Sequence, residues 1–288
     1  MKDRLIRFDW ALKKLLRNKA NFEILEGFLS ELLKQDVKIN QILESESNKE
    51  HADDKYNRVD LLAAVEGGEL VLIEVQVEAQ YDFFHRMVYG AAKLVTDTMA
   101  SGFSYDMVRK VFSINIVYFN LGHGQDYIYR GVTEFKGIHN NDLLQLSSTQ
   151  KNKLTNREQV SEIFPEYYLL KVNEFDNLAK DTLDEWIYFL KNSEIKGEFS
   201  AKGLQRAAEE LDILKLSKEE RQEYERYIED KRVAESSIKT SWLEGKIEGK
   251  IEGKIEIAVE MIKDGESNDK IRKYTGLTVS DIEALRGK

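Results

Sequence analysis

Residues 58–77, RVDLLAAVEGGELVLIEVQV, constrain the fold more than any other stretch. Two aliphatic and β-branched runs flank Glu66-Gly67-Gly68-Glu69, the pattern of a β-hairpin. Asp60, Glu74 and Gln76 interrupt these apolar runs. Carboxylates are rarely fully buried unless they are paired or hold a metal. Side chains alternate faces along a strand, so Glu74 and Gln76 share one face, while Val71, Ile73, Val75 and Val77 share the other.

The hairpin register decides whether the carboxylates meet. With Val65 opposite Leu70, Asp60 and Glu74 fall on opposite faces. With Val65 opposite Glu69, the aliphatic face stays intact and Asp60 lies across from Glu74. A short loop with a left-handed glycine or a bulge accommodates the second register, and a one-residue slip would exchange the faces. The second register is therefore expected. Facing carboxylates repel, and a hard cation such as Mg²⁺ or Mn²⁺ relieves the repulsion with oxygen ligands. Without a metal the same pair serves acid–base work with split pKa values. A solvated polar face explains the residues equally well.

Asp60, the hairpin, Glu74-Val75-Gln76 and a following helix carrying His85-Arg86-Met87-Val88-Tyr89 resemble the PD-(D/E)XK nuclease superfamily. More narrowly, they are similar to the Rpn-type recombination-promoting nucleases, the transposases of that superfamily, in which Gln often replaces the motif lysine. Val59 stands where the motif carries Pro. The resemblance implies an α/β, restriction-endonuclease-like mixed β-sheet core flanked by helices. It also implies a Mg²⁺-dependent DNA endonuclease, with Mn²⁺ as the substitute ion. Asp60 and Glu74 would hold the metal with the backbone carbonyl of Val75, and Gln76 would orient the attacking water or the phosphate. Such nucleases usually take a further carboxylate from the first core helix. Glu26, at the edge of an apolar stripe, is the candidate by helical geometry, and Asp9 is a second. Arg86 either contacts a phosphate, whose oxygens its fork matches, or pairs with a carboxylate.

The net charge of −9 opposes nucleic-acid binding over the whole chain, but a binding footprint is local. The first twenty residues are basic: Lys2, Arg4, Arg7, Lys13, Lys14, Arg17 and Lys19 stand against Asp3 and Asp9. There is no cysteine, which excludes disulfides, thiolate nucleophiles and cysteine-based zinc sites and fits a cytoplasmic location. Residues 1–10 are charged and lack the apolar core of a signal peptide. No run approaches the ~20 apolar residues of a membrane span. The four histidines are isolated from one another.

The remaining chain reads as alternating elements. Helices are expected over residues 8–16, 21–33 and 78–100, the last burying Phe83, Phe84, Met87, Val88, Ala91, Leu94, Val95 and Thr98. Strands are expected over residues 37–44, 109–119, 127–135 and 167–172, and a polar loop over 45–55. After residue 178 the periodicity is helical, with Leu183, Trp186, Ile187 and Leu190 on one face. Ser217 and Glu220 form a capping-box pattern before a charged helix to about residue 228. Residues 244–255 repeat Glu-Gly-Lys-Ile. Each glycine costs a helix about 1 kcal/mol, so this segment is either a helix with a partner surface, favouring self-association, or a linker. Residues 257–285 resemble a helix-turn-helix element, or a helical tail packing on a neighbour. The expected organisation is a core over 1–175, a helical layer over 176–232, the repeat over 233–258 and a small tail over 259–288.

A cytoplasmic, metal-dependent DNA endonuclease is the leading expectation. The alternatives are a catalytically silent DNA-binding or assembly protein that keeps the fold, and a metal-dependent hydrolase acting on a substrate other than nucleic acid.

Overall fold

The computed structural model describes residues 5–43, 60–99, 104–153 and 157–287. The polar segment 45–55 and Val59 lie outside them. The chain divides into two compact units, Met1–Leu216 and Ser217–Lys288.

The first unit is built on a six-stranded sheet of order β1-β2-β3-β4-β6-β5. Its strands are β1 (Ile39–Leu43), β2 (Leu61–Val65), β3 (Leu70–Gln76), β4 (Val111–Val117), β5 (Ile128–Gly131) and β6 (Glu166–Lys171). β2 pairs antiparallel with both β1 and β3. β3, β4 and β6 are parallel, and β5 closes the sheet as an antiparallel edge. The mixed sheet with flanking helices is the restriction-endonuclease-like α/β arrangement expected from the sequence.

The hairpin takes the second register. Leu61 pairs with Ile73, Leu62 with Leu72, Ala63 with Val71 and Ala64 with Leu70. Val65 N–H donates to the Glu69 carbonyl at 3.1 Å, and Gly68 N–H to the Val65 carbonyl at 3.1 Å. The turn needs its glycines, because Gly67 and Gly68 have φ of +97° and +90°, a region that L side chains rarely enter.

One face of the sheet is covered by α3 (Phe83–Asp97). Leu62, Ala64, Leu70, Leu72 and Val111 pack against its Ala91 and Leu94, and Val117, Phe119 and Leu169 against its Phe83 and Met87. The opposite face, including Leu61, Ala63, Val71, Ile73, Ile114 and Ile116, is buried as completely. On α1 (Phe8–Lys14), α2 (Phe22–Leu33) and α5 (Thr182–Asn192), Phe8, Phe28, Trp186 and Phe189 form an edge-on aromatic cluster. Such pairs add about 0.5–1.5 kcal/mol each beyond their area. Short helices α4 (Ser148–Lys153) and α6 (Leu204–Glu210) complete the unit.

Two sequence expectations are corrected here. Phe84, Val88 and Thr98 are not on the buried side of α3: Phe84 and Val88 are 48% and 59% exposed and line an apolar groove with Tyr129, Gly131, Tyr167 and Leu169, and Thr98 is exposed at the helix end. The buried stripe of α3 is narrower than its apolar composition suggests. The strand expected over 127–135 ends at Gly131, where its partner β6 begins.

The second unit opens with the capping box: Glu220 N–H donates to Ser217 Oγ at 3.2 Å and Ser217 N–H to Glu220 Oε2 at 2.9 Å. The helix that follows, α7 (Lys218–Lys263), does not stop near residue 228 but runs for 46 residues through the Glu-Gly-Lys-Ile repeat. α8 (Asn268–Thr275) and α9 (Val279–Arg286) fold back on its end, burying Ala258, Ile271 and Ile282 together. Gly265 and Gly276 take positive φ at the two breaks, as helix C-termini require. Among the described residues no helix is long and apolar enough to cross a membrane.

Candidate functional site

The hairpin register brings Asp60 and Glu74 to one end of the sheet. Asp60 directly precedes the Leu61–Ile73 pair, so the same register sets it opposite Glu74. Val65 N–H donates to the Glu69 carbonyl, and hydrogen-bonded and non-hydrogen-bonded pairs alternate along an antiparallel ladder, so the register makes the Asp60–Glu74 position one of the non-hydrogen-bonded kind, where side chains lie closest. Both residues are buried.

Asp60 is fixed by the strand it faces. Val75 N–H, beyond the last ladder pair, donates to Asp60 Oδ2 at 2.7 Å. The side chain thus replaces a strand partner, which a buried N–H requires. Leu70 and Gln76 direct their peptide groups towards the β4 side. By alternation, Val75 turns its N–H and its carbonyl towards Asp60. Two cations reach the same residue: Lys13 Nζ lies 3.0 Å from Asp60 Oδ1, and Arg17 Nη2 donates to the Asp60 carbonyl at 2.5 Å.

Glu74 is held from the other side. Arg86, one turn into α3, forms an ion pair with Glu74 Oε1 and donates through Nη1 to Gln80 Oε1 at 3.1 Å. The carboxyl of Glu74 titrates above its ordinary value. Burial is the largest cause; the charge of Arg86 opposes it and the charge of Asp60 reinforces it. The two carboxylates therefore sense each other. Gln76 stands one pleat beyond Glu74 on the same face, half-buried, with Nε2 donating to the Glu78 carbonyl at 3.2 Å.

Glu26 is placed elsewhere. Its Oε2 accepts from Lys38 Nζ at 2.8 Å and its Oε1 from Ile39 N–H at 2.9 Å. Ile39 pairs with Val65, at the turn end of β2, a strand's length from Asp60. Glu26 joins α2 to the start of β1. Asp9 accepts from Arg7 Nε at 3.2 Å and from Trp10 N–H at 3.0 Å.

Among the described residues no group of three or more His, Cys, Asp and Glu side chains is placed to hold a metal. The donor set of the site is two carboxylates and a strand carbonyl. Such an all-oxygen set suits Mg²⁺, which keeps several waters and binds proteins through one or two carboxylates. The sequence reading missed Lys13 and Arg17 as site residues. The available signal is the basic N-terminal run, which the sequence supports as a local nucleic-acid footprint without tying Lys13 or Arg17 to Asp60.

Comparison with known families matches residues 6–241 to the PD-(D/E)XK nuclease family transposase. No curated protein and no solved structure matches the chain.

Proposed function

Because the chain belongs to the PD-(D/E)XK nuclease family of transposases, we propose that it is a divalent-metal-dependent endonuclease that hydrolyses DNA phosphodiester bonds, with a role in recombination or transposition. The observation that carries this reading is the apposition of buried Asp60 and Glu74, with the Asp60 carboxylate fastened to the backbone of Val75.

In this reading Asp60, Glu74 and the Val75 carbonyl hold Mg²⁺ or Mn²⁺. A cation so bound supplies a water of lowered pKa and stabilises charge on the phosphate. Asp60 Oδ2 remains on Val75 N–H, which orients Oδ1 towards the site. Arg86 positions Glu74 and offsets part of its burial cost. Gln76, with both a donor and an acceptor, orients the nucleophilic water or a phosphate oxygen. The absence of cysteine fits the cytoplasm as the working compartment. The exposed isoleucines Ile247 and Ile251 of α7 provide a surface for self-association.

A second reading, a silent DNA-binding protein, is favoured by one observation: each carboxylate has a cation of the chain beside it. Incubation of supercoiled plasmid with Mg²⁺ or Mn²⁺ separates the two. The proposed activity predicts nicking or linearisation by the wild type and none by folded Asp60→Ala or Glu74→Ala. Intact plasmid with tight DNA binding supports the silent reading, and cleavage by both variants refutes the assigned site.

A further inference from the structure

The two oxygens of Asp60 are in different situations. Oδ2 is committed to Val75 N–H at 2.7 Å. Oδ1, the oxygen left for a cation, carries Lys13 Nζ at 3.0 Å. The Lys13 side chain is 55% exposed while that of Asp60 is 10% exposed. The ammonium thus reaches a buried carboxylate from the solvent side, and its long flexible stem can swing it away without unpacking the core. Arg17 holds the Asp60 carbonyl independently, which leaves the end of α1 anchored when Lys13 moves.

The other polar groups around the pair are differently engaged. Arg86 bonds both Glu74 and Gln80. Gln76, on the strand itself, is neutral and turns its amide hydrogens to the Glu78 carbonyl. Lys13 is a compact point charge on a flexible stem with three donors, and its partner oxygen is the one that metal binding would claim.

Resting on the reading that the carboxylate pair holds a divalent cation, we propose that Lys13 is an exchangeable counter-ion and substrate-binding residue. It neutralises Asp60 when no metal is bound, yields Oδ1 to the cation, and then donates to a non-bridging oxygen of the DNA phosphate. The ammonium is redeployed from carboxylate to phosphate, and no covalent bond changes. Metal binding and substrate binding are thereby coupled through one side chain.

The test uses the full chain in two titrations: Mn²⁺ alone by calorimetry, and a DNA duplex in Ca²⁺ over a series of salt concentrations. Lys13→Gln is expected to bind Mn²⁺ several-fold more tightly than wild type, because the competitor is gone. Its DNA affinity should fall by roughly 10-fold, with the salt slope smaller by about one, as for the loss of one phosphate contact. Lys13→Arg, which keeps the charge, should restore DNA affinity and bind Mn²⁺ no more tightly than wild type; Lys13→Met, which removes the charge but keeps the apolar stem, carries the test with the same expected shifts if the Gln variant does not fold. Wild type that binds Mn²⁺ while folded Lys13→Gln binds it no more tightly, or retains full DNA affinity, overturns this inference alone. Wild type that takes up no Mn²⁺ overturns the carboxylate reading and this inference with it.

Discussion

Glu166 begins β6 and Glu74 nearly ends β3, so these two buried carboxylates sit at opposite ends of parallel strands. Their surroundings differ in kind. Glu166 accepts from Arg130 Nε at 2.6 Å, Lys110 Nζ at 2.8 Å and Tyr168 Oη at 2.6 Å. Burial alone would raise its pKa, but the three hydrogen bonds and the charge of Lys110 together bring it down to about 2. At the other end two carboxylates face each other, each with a cation beside it, and Glu74 is pushed up instead. One carboxylate with surplus donors is a fastener. Two facing carboxylates with one cation each, on separate elements, are the arrangement proposed above to hold a divalent ion. Perturbed carboxyl groups of this second kind cluster where proteins do chemistry.

The comparison breaks first on activity. Asp60→Asn or Glu74→Gln should lower plasmid cleavage by about 10³-fold, the several kcal/mol that a metal contributes to the transition state, with little loss of melting temperature. Glu166→Gln should do the reverse. Breaking one side of a buried ion cluster costs about 3 kcal/mol, read by urea denaturation, while the folded fraction cleaves at the wild-type rate. Arg86→Met should reduce cleavage by roughly 10–100-fold, as loss of an outer partner of a metal ligand does. It should also move the acid limb of the pH–rate profile upward, because Arg86 is what opposes the raised pKa of Glu74.

The smallest effects are on pH-dependent stability, and their signs are opposite. The folded-state pKa of Glu166 is depressed, so its contribution is complete above the unfolded value of 4.5 and is lost as pH falls towards about 2. The folded-state pKa of Glu74 is raised, so folding favours its protonated form, and stability declines as pH rises from 4.5 through the raised value. Chemical denaturation across acid pH should show the first slope vanish in Glu166→Gln and the second in Glu74→Gln.

Much of the hairpin was legible because two local rules agreed. The alternation of Leu61, Ala63 and Val65 against Val71 and Ile73 admits one register, and Gly67-Gly68 supplies the turn for it. That register alone sets Asp60 opposite Glu74. The helix starts at Ser217 and Thr278 were legible for a similar reason, since a capping box is written within four residues. What failed needed information from elsewhere in the chain. An apolar residue on α3 reads the same whether it faces the sheet or the groove by β5, so Phe84 and Val88 were misplaced. A glutamate at the edge of an apolar stripe reads the same whether it serves a site or fastens a strand, and Glu26 fastens β1. The capped helix and the repeat read as separate segments, the first ending near residue 228 and the second a helix or a linker, yet they form one continuous α7. The contact of Lys13 with Asp60 joins segments remote in sequence, and no periodicity in α1 announces it.

The most direct test of the account counts divalent ions at the two ends of the sheet. Calorimetric titration with Mn²⁺ should show uptake by the wild type and by folded Glu166→Gln, and none at that site in the Asp60→Asn/Glu74→Gln double variant. Undiminished binding by the double variant, or binding lost from Glu166→Gln while it remains folded, would contradict the assignment of the Asp60–Glu74 pair as the metal-holding site.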